Sequence, residues 1–352
     1  MSYRYLVTLK PLEPFFFGGE FTFGADDTRK NEISRYSATS TQFPQQTAIL
    51  GMLRKLLLIE NSCLTMHNRG EWIDTIGKHN GKSKNYEKAV SLVGNEGFSY
   101  EKDINLGVIE SISPIFISSN SQYFCADAKD RDFVKKEIEG NFSFGKGAKK
   151  AFIFDGFDAK NSSTHEFVSK QKELKNYSDF FENVESVGIK KSKDKESNED
   201  AYFRKLSYYP KKNSNASFCF IIELNVSLEN KTRIVTLGAD QSSFAFEIED
   251  FSKSYDELFS DIHTPKEYER IVLNSQTLLT QEAYNLCSFI LGERKSYRQL
   301  KNRHGQKSKR YYLLESGSVL FSDNIEKLEQ ELKQEHLQKI GINKYKKIEG
   351  EK

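Results

Sequence analysis

From Tyr3 to Phe17 apolar and polar positions alternate imperfectly, and the run stops at Gly18-Gly19, which predicts a first strand with a glycine exit. Residues 18–43 are polar and predict a loop. At Pro44 the period changes. Ala48, Leu50, Met52, Leu53, Leu56 and Leu57 share one side of a helix over 44–60, with Pro44 just ahead of its first turn. Gly51 falls inside this helix, where glycine costs ~1 kcal/mol against alanine, so a close neighbour is expected there.

Strand patterns return at Leu106–Ile117, Gln122–Ala126 and Ala151–Phe154. Ala201–Tyr209 and Ala216–Val226 follow, joined by the turn Pro210–Asn215. Thr232–Leu237 and Ser243–Ile248 complete the block, and a boundary is expected near residue 250. Beyond it the pattern reads strand (268–279), helix (281–291), strand (311–321), polar amphipathic helix (324–338) and a short terminal strand (341–348). Both blocks fit an α+β class of two ferredoxin-like (RRM-like) domains, 1–250 with long insertions and an extended β-hairpin, and 251–352. No self-similarity between the blocks is visible in the residues themselves.

With 352 residues the chain can bury two cores. A net charge of +2 excludes a global basic field, so any polyanion must be met by local patches. Aromatics make up 13% of the chain, which favours β-rich structure, base stacking, or both. Cys63, Cys125, Cys219 and Cys287 are scattered without a Cys-x-x-Cys pair, so buried free thiols are expected rather than zinc. The N-terminus lacks an apolar signal core and no apolar run is long enough for a membrane span; a cytoplasmic protein with no metal or other cofactor is expected.

Three stretches have the composition of an anion site. Gly18 and Gly19 open the backbone, and Gln45, Gln46 and Thr47 sit where a helix start offers amides to a phosphate, with Arg54 two turns on; simple helix capping accounts equally well for the three. The segment 190–200 carries Lys190, Lys191, two further lysines and four acids, followed by Arg204; it is either a solvated loop or a finger that enters between nucleotides. Segment 293–310 holds eight Lys or Arg, among them Arg294, Arg298, Arg303, Lys309 and Arg310, against Glu293, with Tyr297, Tyr311 and Tyr312 interleaved; it is either a merely soluble loop or a basic, stacking contact for RNA. The Gly-Lys run 144–150 lacks P-loop spacing and reads as a hairpin tip.

Four motifs, in order, resemble the RAMP superfamily of CRISPR effector proteins, and within it the family of the third subunit of the Cmr (type III-B) complex, with the Csm counterpart next. They are Phe15-Phe16-Phe17-Gly18-Gly19; Pro44, Thr47, Gly51 and Arg54 in a Pro-x-x-Thr-x-x-Gly-x-x-Arg pattern; Val187-Gly188-Ile189 leading to Tyr202-Phe203-Arg204; and Leu237-Gly238-Ala239-Asp240-Gln241-Ser242. Glu315-Ser316-Gly317-Ser318-Val319 is similar to a further family strand. Ala239 stands where the family has a second glycine, and a Gly-rich C-terminal loop is reduced to Gly341-Ile342-Asn343-Lys344.

The resemblance implies a non-catalytic scaffold that holds the 5′ handle of the CRISPR RNA. Its implied partners are that RNA, a large polymerase-like subunit and the backbone RAMP subunits, with no membrane. The alternative is a metal-independent endoribonuclease that processes repeat RNA. His304, with its Tyr and Lys neighbours, is then the candidate acid–base group, although a lone loop histidine is commonly just exposed. No His-Glu-x-x-His, nucleophile elbow or dense acidic cluster is present in the sequence.

Overall fold

The structure, a computed structural model, describes residues 2–18, 21–24, 35–66, 72–74, 84–139, 150–155, 165–191, 197–229, 231–238, 240–297 and 309–350. The chain forms two units, 1–123 with 177–254, and 124–176 with 255–352. The segment 124–176 groups with the C-terminal part of the chain.

In the first unit, Tyr3–Pro11 lies between Ser217–Leu224 and Ser242–Asp250, both antiparallel. Phe116–Ser119 and Ile109–Ile112 flank Ser217–Leu224, and Arg233–Leu237 forms the opposite edge. Numbering the four main strands by chain order, the sheet runs 2-3-1-4. That is the order of a ferredoxin-like βαββαβ sheet. Register explains the core. Tyr5, Val7 and Leu9 stand opposite Ile222, Phe220 and Phe218, and one strand further lie Ile248 and Phe246. All are buried on one face.

The predicted helix forms over Gln46–Glu60 and buries Ile49, Leu50, Leu53 and Leu57. Where the fold would place a second helix, between the third and fourth strands, the described residues hold the strand Arg233–Leu237 instead.

Residues 18–43 are not all loop. Arg35–Thr39 is a strand that pairs parallel with residues 203–206 and antiparallel with Phe21–Gly24. It takes its conformation from a neighbour 167 residues away (Phe203 opposite Tyr36) rather than from its own polar sequence. That neighbour is the long antiparallel ribbon Phe181–Lys191/Ser197–Pro210. The tip, 192–196, lies outside the described residues.

The second unit repeats the topology. Arg270–Leu273, Phe289–Leu291, Val319–Phe321 and Tyr345–Ile348 again run 2-3-1-4, every pair antiparallel. The expected helix 281–291 stops at Leu286, because Phe289–Leu291 pairs with Val319–Phe321. The expected strand 311–321 is cut in two by Gly317, at φ +79°, where a Cβ would strike the carbonyl of Asp127. The helix expected over 324–338 breaks after Leu332 into Ile325–Leu332 and Glu335–Gln338.

One sheet face packs Ile271, Leu273 and Leu320 against Leu328 and Leu332 of the helix. The other is closed by Ala128 and Phe133, packed with Val272, Val319 and Phe321. This cover is fastened by charge. Asp130, fully buried, meets Arg270 Nε at 2.9 Å, and Lys266 donates to the carbonyls of Asp130, Arg131 and Phe133.

Candidate nucleic-acid interface

The first unit gathers motifs that are far apart in sequence. Phe15, Phe17, Phe181 and Phe218 form one buried aromatic cluster, with Phe15 5.4 Å from Phe181 and 5.3 Å from Phe218. These rings are core, so they are withdrawn from any base stacking. The cluster anchors the chain just before Gly18. Gly18 takes φ +77°, and a Cβ there would meet no described atom within 4 Å. Its carbonyl accepts the Thr41 amide at 3.2 Å, and the Phe17 amide donates to Ser40 Oγ at 3.0 Å. The glycine exit is thereby stitched to the approach of the helix start. Gly19 lies outside the described residues.

At the helix start, Gln45 is the N-cap residue, and its carbonyl accepts the amides of Ala48 and Ile49. No side chain caps this end. Gln46 turns inward, donating from Nε2 to the Ser113 carbonyl at 3.0 Å. Gln45 and Thr47 remain half-buried, their side-chain oxygens 3.5 Å apart.

Arg54 gives its guanidinium to the carbonyls of Glu96 (2.9 Å) and Asn105 (3.2 Å). Burial lowers its pKa, and its hydrogen bonds brace the loop that follows Gly94. Gly51 is exposed, and a Cβ there would meet nothing within 4 Å, so no group among the described residues demands a glycine there.

The ribbon is fastened at its root. Phe15 and Tyr208 exchange backbone hydrogen bonds of 2.8 and 3.1 Å, and the Ser40 amide donates to Leu206 at 3.0 Å. The Tyr177 hydroxyl donates to the Gln42 carbonyl at 2.7 Å. The Phe203 ring lies across Gly188, and a Cβ there would sit 2.0 Å from it, so a larger residue would have to displace the ring. Arg204, exposed, holds Glu185 through two contacts, Nε–Oε1 at 2.7 Å and an Nη2 donation to Oε2 at 2.8 Å. Lys190 and Lys191 close the first strand of the ribbon; their side chains lie outside the description.

The turn after Leu237 packs on the same segment. Gly238 has φ +83°, and a Cβ would strike the Phe16 carbonyl at 2.1 Å. Ser242 Oγ accepts the Phe16 amide at 3.3 Å. Lys205 lies 5.0 Å over the Phe16 ring and pairs with Asp240. The glycine exit, the helix start, the ribbon root and the Gly238 turn are therefore linked by hydrogen bonds and packing within one unit. Sequence order alone gives no hint of this convergence.

In the second unit the closed sheet face removes the surface that an RRM uses for stacking. What stands exposed is a hairpin, Arg294–Tyr297/Tyr311–Leu314, inserted between the second and third strands. Arg294 lies 4.8 Å over Tyr312, Lys309 lies 5.1 Å over Tyr311, and Arg310 is exposed. Arg298, Arg303 and His304 lie outside the described residues. The short loop at Gly341 is internal. Asn343, fully buried, accepts the Leu278 amide at 2.8 Å and donates to the Leu278 carbonyl at 3.2 Å.

The cysteines are free, and Cys63, Cys125 and Cys219 are buried; burial pushes the Cys219 thiol up to about 12. Among the described residues, no group of three or more His, Cys, Asp and Glu is placed to hold a metal ion. No helix among them is long and apolar enough to cross a membrane.

No protein-family model matches the chain, and no curated protein matches it by sequence. Solved structures do. A chain of the type III-B Cmr-beta complex bound to cognate target RNA aligns at a TM-score of 0.53 and 16% identity, over 97% of this chain and 96% of that one. A chain of the same complex with target RNA and AMPPnP aligns at 0.52 and 16%, over 97% and 95%. A chain of a Csm3-Csm4 subcomplex aligns over 91% and 93% at 10% identity, with a TM-score of only 0.37. The Cmr-beta likenesses establish a shared α+β fold from end to end.

Proposed function

We propose that this chain is a non-catalytic RNA-binding subunit of a type III CRISPR effector complex. It works in the cytoplasm, anchors the 5′ handle of the CRISPR RNA, and docks a large polymerase-like subunit beside the backbone RAMP subunits. The observation that carries the reading is the end-to-end alignment, 97% of this chain on 96% of a Cmr-beta chain, with four of the family's motifs gathered in one unit. The chemistry supports it. Gly18 leaves room where a side chain would stand, the helix start without a side-chain cap carries the positive end of the helix dipole, and the ribbon carries Arg204 from a fixed root. A sugar–phosphate strand laid along these elements meets amides and a cation, and the ribbon separates adjacent nucleotides.

The test is purification of the tagged chain from its own cells, followed by sequencing of bound RNA. A guide RNA population sharing one 5′ segment, together with a large polymerase-like protein, is the expected result. Absence of any repeat-derived RNA would overturn the reading. Incubation with labelled repeat RNA in EDTA separates it from the endoribonuclease alternative. Intact RNA is expected, whereas specific cleavage lost in His304→Ala would favour the nuclease.

A further inference from the structure

The arginines divide sharply by partner. Arg4 pairs with Glu223, Arg131 with Asp127, Arg204 with Glu185, Arg233 with Glu60 and Arg270 with Asp130, while Arg54 is held by two carbonyls. Arg294 and Arg310 have no carboxylate or carbonyl partner among the described residues. Both belong to the hairpin of the second unit.

The two strands of that hairpin are held at their root. Leu314 and Thr277 exchange backbone hydrogen bonds of 2.8 and 2.9 Å, and the Glu315 amide donates to the Glu293 carbonyl at 2.9 Å. The Tyr297 hydroxyl, buried, donates to Glu315 Oε1 at 2.7 Å. From this fixed root the Arg294 guanidinium lies 4.8 Å from the Tyr312 ring, which is 46% exposed. A planar cation stacked on an exposed phenol ring is an assembled surface for a second flat group, and Arg310 adds a charge two residues away.

We infer that Arg294, Tyr312 and Arg310 form a second single-stranded RNA contact, which stacks an unpaired base and neutralises its flanking phosphates. Stacking uses the face common to all four bases, so this contact is tolerant of sequence. It belongs to the hairpin, because Ala128 and Phe133 have already filled the sheet face where a stacking ring would otherwise stand. The inference rests on the proposal that this chain sits on an RNA, and it adds a site in the other unit.

The experiment measures binding of the full chain to fluorescein-labelled single-stranded oligoribonucleotides, of U-rich and A-rich sequence, by anisotropy across a salt series. Tyr312→Ala should weaken binding on the order of 10-fold on both sequences, while Tyr312→Phe, which keeps the ring, should bind like the parent. Arg294→Gln should lower the log–log salt slope by ~0.7. Circular dichroism melts check that the variants fold. Arg204→Gln serves as the control in the other unit. If it weakens binding while the Tyr312 and Arg294 variants bind like the parent, the hairpin site is refuted and the handle proposal stands. If the parent binds neither oligomer, both fail. If Tyr312→Ala keeps full RNA affinity but releases a protein partner, the hairpin is a protein dock and the inference is overturned.

Discussion

The Arg204–Glu185 pair gives the most direct test of the ribbon. In the proposed function Arg204 is the ribbon's cation for a phosphate, and in the free chain it is held by Glu185 with contacts of 2.7 and 2.8 Å. The two side chains are 59% and 44% exposed, so water screens the pair. Such exposed pairs contribute ~0.2–1 kcal/mol. A phosphate that captures Arg204 therefore forfeits at most about 1 kcal/mol, or about a factor of 5 in affinity. Glu185→Gln removes that competition and should tighten RNA binding by up to ~5-fold. Arg204→Gln should weaken binding and lower the log–log salt slope by ~0.7, the share of one phosphate on a single strand. Neither change should alter stability by more than ~1 kcal/mol, the most that such an exposed pair contributes. Anisotropy titrations at several salt concentrations read all of these. An unchanged slope in Arg204→Gln, together with unchanged affinity in Glu185→Gln, would remove the ribbon from the RNA path.

Three further outcomes follow from particular residues. Gly51→Ala should stabilise the chain by ~1 kcal/mol in urea unfolding, because the site is helical, exposed and open; if the same variant loses assembly with its partners, a neighbouring molecule comes up against that turn. Asp130→Asn should cost ~3–5 kcal/mol by leaving Arg270 buried without its counter-charge, while replacing both by Leu and Met should restore most of the loss. His263 is buried near Arg131, Arg270 and Lys346, and its pKa is lowered to about 3, first by burial and then by those cations. As pH falls below ~6.5 the unfolded chain takes up this proton before the folded one does, so stability declines from there towards pH 3; the loss is ~2 kcal/mol by pH 5, and His263→Gln should abolish that slope in urea unfolding at pH 7.5 and 5.

Whatever depends on neighbours along the chain was legible in the sequence. The helix from Gln46 follows from the apolar spacing of Leu50, Leu53 and Leu57 behind Pro44. The alternation in Tyr3–Pro11 and Ser242–Asp250 yields strands with one buried face. The two ferredoxin-like blocks followed from the order of such elements. What depends on distant neighbours was not legible. Arg35–Thr39 is a strand because residues 203–206 offer it an edge, and residues 128–133 cross to the C-terminal block because Arg270 and Lys266 bind them there. The availability of charge is the sharpest case. Arg54, Arg204 and Arg294 are equivalent as letters, but the fold gives the first two carbonyl or carboxylate partners and leaves the third stacked on a tyrosine. An ion's readiness for a ligand is set by the opposite charges within a few ångströms, and only the tertiary structure supplies those.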